Sequence, residues 1–181
     1  MPTLYTIGHS TRTTEEFIAV LEDAGVRLLA DVRAYPASRR HPQFGREALA
    51  AALAAREIRY AWLGKALGGH RAARPDSPNT ALAAAWRGYA DHMQAARFKE
   101  GLAQLQEWAL TGPVACMCAE RNPDDCHRQF IADSLVSQGW KVTHLIGASE
   151  KREHQINTAA RVTPQGLVYP DPGQQQLGLG F

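Results

Sequence analysis

At 181 residues, with 45% apolar and 21% charged side chains, the chain has the size and balance of one packed domain rather than of a disordered polymer. No apolar run approaches the roughly twenty residues that span a bilayer, which argues against a membrane-spanning helix. A net charge of +2 does not by itself define a partner for polyanions, and three cysteines packed into residues 116–126 do not make a disulfide scaffold.

The opening Met1-Pro2-Thr3-Leu4-Tyr5 has neither a basic n-region nor a long apolar h-region, and the cysteines read as reduced thiols, so a cytoplasmic location is expected. Leu4-Tyr5-Thr6-Ile7 reads as a first strand closed by Gly8-His9-Ser10. Thr13 or Thr14 caps the next helix, whose Phe17, Val20 and Leu21 recur at helical spacing until Gly25 stops it. Val26 to Val32 is an almost wholly apolar second strand that ends on Asp31 and Arg33, and an alanine-rich helix follows over about 46–56. Ile58 to Leu63 forms a third strand. Residues 64–80, with Gly68, Gly69 and several arginines, read as a long loop of the sort that carries function in compact domains.

Two helices broken around Arg97 are expected over 81–111, then a strand from Pro113 to Met117, a helix from Asp125 to Gln138 stopped by Gly139, and a last strand from Lys141 to Ile146. Strands alternating with helix-length amphipathic runs predict a three-layer α/β domain over residues 1–147, built on a mainly parallel sheet of about five strands with crossover helices. Beyond Gly147 the chain turns polar and rich in Pro, Gln and Gly, and residues 148–181 read as a C-terminal extension.

Ligands of parallel sheets collect outside the carboxyl ends of the strands. Three polar triplets fall there: Gly8-His9-Ser10, Asp31-Val32-Arg33 and Cys118-Ala119-Glu120. A fourth, Cys126-His127-Arg128, stands at the start of the following helix, where free N–H groups favour an anion or thiolate. Cys118, Glu120 and His9 are the catalytic candidates. Ser10, Asp31, Arg33, Arg39 and Arg128 are the candidates for holding an anion, with Asp31 and Arg33 equally readable as a structural ion pair. Cys118, Cys126 and His127 are candidate ligands for a divalent metal, although their spacing matches no closed zinc site. Arginines clustered with Tyr35, Phe44, Tyr60 and Trp62 suit phosphates and bases, which admits nucleic acid or a nucleotide as partner.

Thr6-Ile7-Gly8-His9-Ser10, Asp31-Val32-Arg33 with Pro36, Ser38 and Arg39, Leu67-Gly68-Gly69, Gly88-Tyr89-Ala90, and Met117-Cys118-Ala119-Glu120 followed by Cys126-His127-Arg128 together resemble the family known as domain of unknown function 488. That resemblance runs from residue 3 to about 147 and implies no established reaction. A remoter likeness to rhodanese-like domains rests on the Asp31-Val32-Arg33 strand end, Cys118, Arg128 and the closing Gly139-Trp140-Lys141-Val142. It implies a sulfurtransferase or phosphatase in which N–H groups and Arg128 hold the Cys118 thiolate, its pKa drawn below the free value of about 8.5. The long loop from Cys118 to Arg128 and the negative Glu120 depart from that pattern.

The tail Gln176-Leu177-Gly178-Leu179-Gly180-Phe181 resembles the short peptide with which bacterial replication and repair proteins grip the sliding clamp. Gln176, Leu177, Leu179 and Phe181 are the contacts this implies, with the leucines and phenylalanine entering an apolar groove. Together these readings describe an enzyme, or a nucleotide-recognising domain, that acts on phosphorylated or nucleic-acid material in DNA maintenance. The alternative is a non-catalytic adaptor for the clamp or nucleic acid.

Overall fold

The computed structural model describes residues 3–173. Its centre is a six-stranded sheet in which β1 (Thr3–Gly8), β2 (Leu28–Asp31), β3 (Arg59–Trp62), β4 (Val114–Cys118) and β5 (Lys141–Leu145) run parallel, and β6 (Lys151–Glu153) closes one edge antiparallel. The order across the sheet is β3-β2-β4-β1-β5-β6. Five parallel strands in a three-layer α/β domain is what the apolar runs predict.

Side-chain alternation divides the core in two. Ile7, Leu29, Ala115, Met117 and Leu145 face α1 (Thr14–Asp23) and α2 (Arg46–Ala54), around Phe17, Phe44, Leu49 and Leu53. Leu4, Leu28, Ala30, Cys116 and Val142 face the other way, onto α3 (Gly64–Leu67), α4 (Ala84–His92), α5 (Ala96–Thr111) and α6 (Arg128–Ser137). Thr13 is the cap of α1: its Oγ accepts from the Glu16 N–H at 3.1 Å while its own N–H donates to the Glu16 carboxylate at 2.9 Å. Such reciprocal capping stabilises a helix by about 1 kcal/mol.

The topology places a crevice. After β1 the chain leaves toward the α1–α2 face, and after the neighbouring β4 it leaves toward α6 on the opposite face. Adjacent strands whose connections diverge open a gap at their carboxyl ends. Backbone pairing continues past the strands, His9 N–H to the Cys118 carbonyl at 3.0 Å and Ser10 N–H to the Ala119 carbonyl at 2.8 Å. Gly8 makes this close approach possible, since a Cβ there would overlap the Glu120 carbonyl.

Several elements differ from the sequence expectation. The loop after β3 begins with a helical turn, α3, and the break between α4 and α5 falls at 93–95, just before Arg97. The expected helix from Asp125 starts only at Arg128: a 3-10 turn, Pro123–Asp125, precedes it and leaves Cys126 and His127 in the junction. Beyond Gly147, where the sequence shows no periodicity, the structure has β6 and a hairpin of β7 (Arg161–Thr163) and β8 (Gly166–Val168). Leu167 and Tyr169 enter the α5–α6 side of the core. Strands of three residues are too short to show a period. Among the described residues no helix is long and apolar enough to cross a membrane.

Candidate functional site

A cavity of about 900 Å³ opens at the carboxyl ends of the strands. His9, Ser10, Arg33, Arg39, Cys118, Glu120, Cys126 and His127 line it, so four polar segments separated by up to 118 positions meet there. Asp31 and Arg128 stand behind the wall and do not line it. Two lining residues outside glycine have left-handed backbone, Ser10 at φ 49° and His70 at φ 60°. Strain of this kind persists only where surrounding contacts over-determine it, and it clusters at ligand sites.

The Asp31 group lies on the α1–α2 side. Asp31, fully buried, accepts from Arg33 Nε at 2.9 Å, Arg33 Nη2 at 2.6 Å and the Tyr60 hydroxyl at 2.6 Å. Arg33 Nη2 also donates to the Phe44 carbonyl at 2.8 Å, while Nη1, equally buried, has no partner among the described residues. His9 stacks on Phe44 at 4.6 Å and its Nδ1–H donates to the Ser10 carbonyl at 3.0 Å. Burial, reinforced by the charges of Arg33 and His41, brings its pKa down to about 4. The ring is therefore neutral at pH 7 and presents a weakly basic Nε2.

The sulfur group lies on the α5–α6 side. His127 Nε2–H donates to the Val32 carbonyl at 3.0 Å, which leaves Nδ1 facing both Cys118 Sγ at 3.7 Å and Cys126 Sγ at 3.8 Å. The Cys118 thiol also reaches the Glu120 carboxylate at 3.8 Å. Arg128 Nε donates to Cys126 Sγ at 3.4 Å, and its Nη2 to the Glu120 carbonyl at 2.5 Å. Arg128 thus serves Cys126 and not, as the sequence suggests, Cys118. The acidity follows the contact. The hydrogen bond to Cys126 and then burial push the Cys118 thiol up. Burial opposes ionisation of Cys126, but its contacts with Cys118 and His127 and the charge of Arg128 outweigh that and bring its thiol well below the ordinary range. Cys116, two residues back on the same strand face, is wholly buried and raised to about 12.

The model of the family described as Domain of unknown function DUF488 matches residues 13–135. The chain belongs to this family. No curated protein and no solved structure matches it. Within the DUF488 span lie Asp31, Arg33, Cys118, Glu120, Cys126, His127 and Arg128, while His9 and Ser10 precede it.

Sequence reasoning missed a buried relay behind the DUF488 site. Arg128 Nη1 donates to Thr6 Oγ1 at 3.3 Å, Thr6 to His144 Nδ1 at 2.7 Å, His144 Nε2–H to His154 Nδ1 at 2.9 Å, and His154 Nε2–H to Asp133 at 2.7 Å. Tyr169 donates to the other Asp133 oxygen at 2.8 Å. Thr6 and His144 alternate in register with the core residues Leu4 and Val142, so polar residues on an inward face were the available signal. Arg12 was missed as well: its guanidinium ties the Gly8 carbonyl, at 2.6 Å, to the Ile146 carbonyl and so closes the β1 and β5 ends. The clamp-like residues Gln176, Leu177, Leu179 and Phe181 lie outside the described residues.

Proposed function

We propose that the cavity receives a phosphate-bearing, nucleotide-like ligand and that the protein is an enzyme acting on phosphorylated or nucleic-acid material. The observation that carries this reading is the charge layout of the cavity. Arg39, Arg40 and Arg71 line it, beside Arg33 whose charge is matched by Asp31, against two acids, Glu120 and Asp125. Guanidinium groups pair with phosphate oxygens through two parallel N–H donors. Tyr35, 76% exposed, stands at the rim with its ring 6.4 Å from that of His70, a pair suited to stacking on a base. Calorimetry with nucleoside phosphates and short single-stranded oligonucleotides tests this. The double variant Arg39→Glu, Arg40→Glu is expected to weaken binding by more than about tenfold and to flatten its salt dependence, because fewer counterions are released. Absence of wild-type binding at low salt refutes the reading.

A second reading is a thiol enzyme of the rhodanese-like kind. The contact of Arg128 with Cys126 favours it, and it makes Cys126 rather than Cys118 the anionic sulfur. In the first version Cys118→Ala abolishes turnover and in the thiol version Cys126→Ala does, whereas in a non-catalytic adaptor both leave partner binding intact.

The link to DNA maintenance rests on the tail. Gln176, Leu177, Leu179 and Phe181 act as a recruitment peptide for the sliding clamp, separate from the pocket. Calorimetry against purified clamp should show micromolar binding, roughly 8 kcal/mol, that the double variant Leu179→Ala, Phe181→Ala removes while ligand affinity of the pocket is unchanged. Equal binding by both proteins, or by neither, rules the tail assignment out.

A further inference from the structure

We infer that Cys118, Cys126 and His127 hold one divalent transition-metal ion of the zinc class, with its fourth coordination position open to the cavity. This deepens the proposed function, because it rests on the same cavity and supplies the chemistry that would act on a ligand bound there.

The geometry is the first argument. Cys118 Sγ, Cys126 Sγ and His127 Nδ1 all lie within 4.8 Å of one another, and all three residues are buried. A tetrahedral ion about 2.3 Å from each sulfur and about 2.0 Å from the nitrogen makes each S···N edge roughly 3.5 Å. The edges here are 3.7 and 3.8 Å. Both S···N edges therefore stand within a few tenths of an ångström of a ligating arrangement, and the S···S edge lies within 4.8 Å.

The second argument is the donor set. With Nε2–H committed to the Val32 carbonyl, Nδ1 is turned toward both sulfurs, so three ligand atoms face one point. Two thiolates and a neutral imidazole also balance a dication, and soft donors of this type select zinc-like ions over magnesium or calcium.

The surroundings fit a metal centre as well. The Val32 carbonyl fixes the ring and its tautomer, and Arg128 Nε contacts Cys126 Sγ from outside the trio, the outer contacts that orient ligands in metal sites. Gly69 gives the ligating nitrogen its room, since a Cβ there would come 3.2 Å from Nδ1. All three residues line the cavity, and three protein ligands with an accessible fourth position distinguish a catalytic from a closed structural site. An ion so placed acts as a Lewis acid on a phosphoryl oxygen, or on a bound water, beside the cationic rim.

The test uses the full chain, stripped with chelator under reducing conditions and titrated with zinc or cobalt. Elemental analysis should give one ion per chain, and the cobalt form should show thiolate-to-cobalt charge transfer. Cys118→Ser, Cys126→Ser and His127→Gln should each weaken binding by more than about tenfold. Cys116→Ser, a neighbouring cysteine outside the trio, should leave stoichiometry and spectrum unchanged. Should any ligand variant fail to fold, peptide mapping of the wild type decides: zinc must protect Cys118 and Cys126 from alkylation. Substoichiometric metal, a cobalt spectrum without charge transfer, or no protection overturns the inference. Nucleotide binding measured on the same samples keeps the two proposals apart. Metal without nucleotide binding removes only the ligand reading, and nucleotide binding without metal removes only this one.

Discussion

On the α1–α2 side of the sheet, the Asp31 carboxylate receives two guanidinium donors from Arg33 and the Tyr60 hydroxyl at 2.6–2.9 Å, with the Arg33 backbone N–H at 3.1 Å, and it is wholly out of contact with solvent. On the opposite side, the Cys118, Cys126 and His127 trio is also buried, but its contacts are 3.7–3.8 Å sulfur contacts that converge on one nitrogen. Both groups sit at the same end of the same sheet. The first is chemically closed, with charge matched to charge; its one loose end is Arg33 Nη1. The second is met mainly by long, weak sulfur contacts, with Arg128 Nε 3.4 Å from Cys126 and the Glu120 carboxylate 3.8 Å from Cys118. Polar groups that the fold satisfies serve stability, and those left under-satisfied beside a cavity are where a ligand gains most.

The largest effect expected from this contrast is on stability. Asp31→Ala strands the Arg33 guanidinium, 6% exposed, without its carboxylate. Removing one partner of a buried ion pair costs roughly 3–5 kcal/mol. Cys118→Ala in the metal-free protein removes only weak sulfur contacts and should cost about 1 kcal/mol. Urea denaturation of both variants in chelator measures the difference. Comparable losses would mean that the two clusters are equally structural and that the contrast is only apparent.

How much of this could be read in advance follows from the range of the interactions involved. The runs Val26–Val32 and Pro113–Met117 announce buried parallel strands, because a strand covered on both faces is apolar throughout. The strand-end triplets stand out because polar residues and glycine interrupt those runs, and Cys126-His127 stands out by residue type alone. Whether Asp31 is a ligand or a structural ion depends on Tyr60, 29 positions on, and on the burial of Arg33. That pairing has no local signature. The choice of Arg128 for Cys126 over Cys118 is decided by the 3-10 turn that delays α6 to Arg128, a shift of three residues within ordinary boundary error. The Thr6–His144 contact joins residues 138 positions apart; the sequence shows a polar residue on the inward face of each strand but not that the two meet.

That contact belongs to a third polar group, closed like the first yet joined to the second through Arg128, and its closure can be measured. His144 is almost fully buried, and its pKa is lowered from 6.5 to about 3. Burial is the main cause; repulsion from His154, Arg128 and Arg152 adds to it, and Cys126 opposes it. The hydrogen bonds agree with a neutral ring, since Nδ1 accepts from Thr6 while Nε2–H donates to His154. In the unfolded chain the same histidine takes up its proton near pH 6.5. The unfolded state therefore binds a proton that the native state refuses. Stability from this group is complete above about pH 6.5 and is lost progressively as pH falls toward 3, by at most about 1.4 kcal/mol per pH unit. His9, lowered to about 4, adds a similar slope in the wild type, so the informative quantity is a difference between proteins. His144→Gln keeps one donor and one acceptor but cannot titrate. Denaturation from pH 6.5 to 5, above the range where most carboxylates protonate, should show the variant losing less stability than the wild type, by up to about 1.4 kcal/mol per pH unit. Parallel losses would mean that His144 accepts its proton in the folded state as readily as in the unfolded one. The run of hydrogen bonds from Arg128 to Asp133 would then be open to charge, and the sulfur trio would have no closed support behind it.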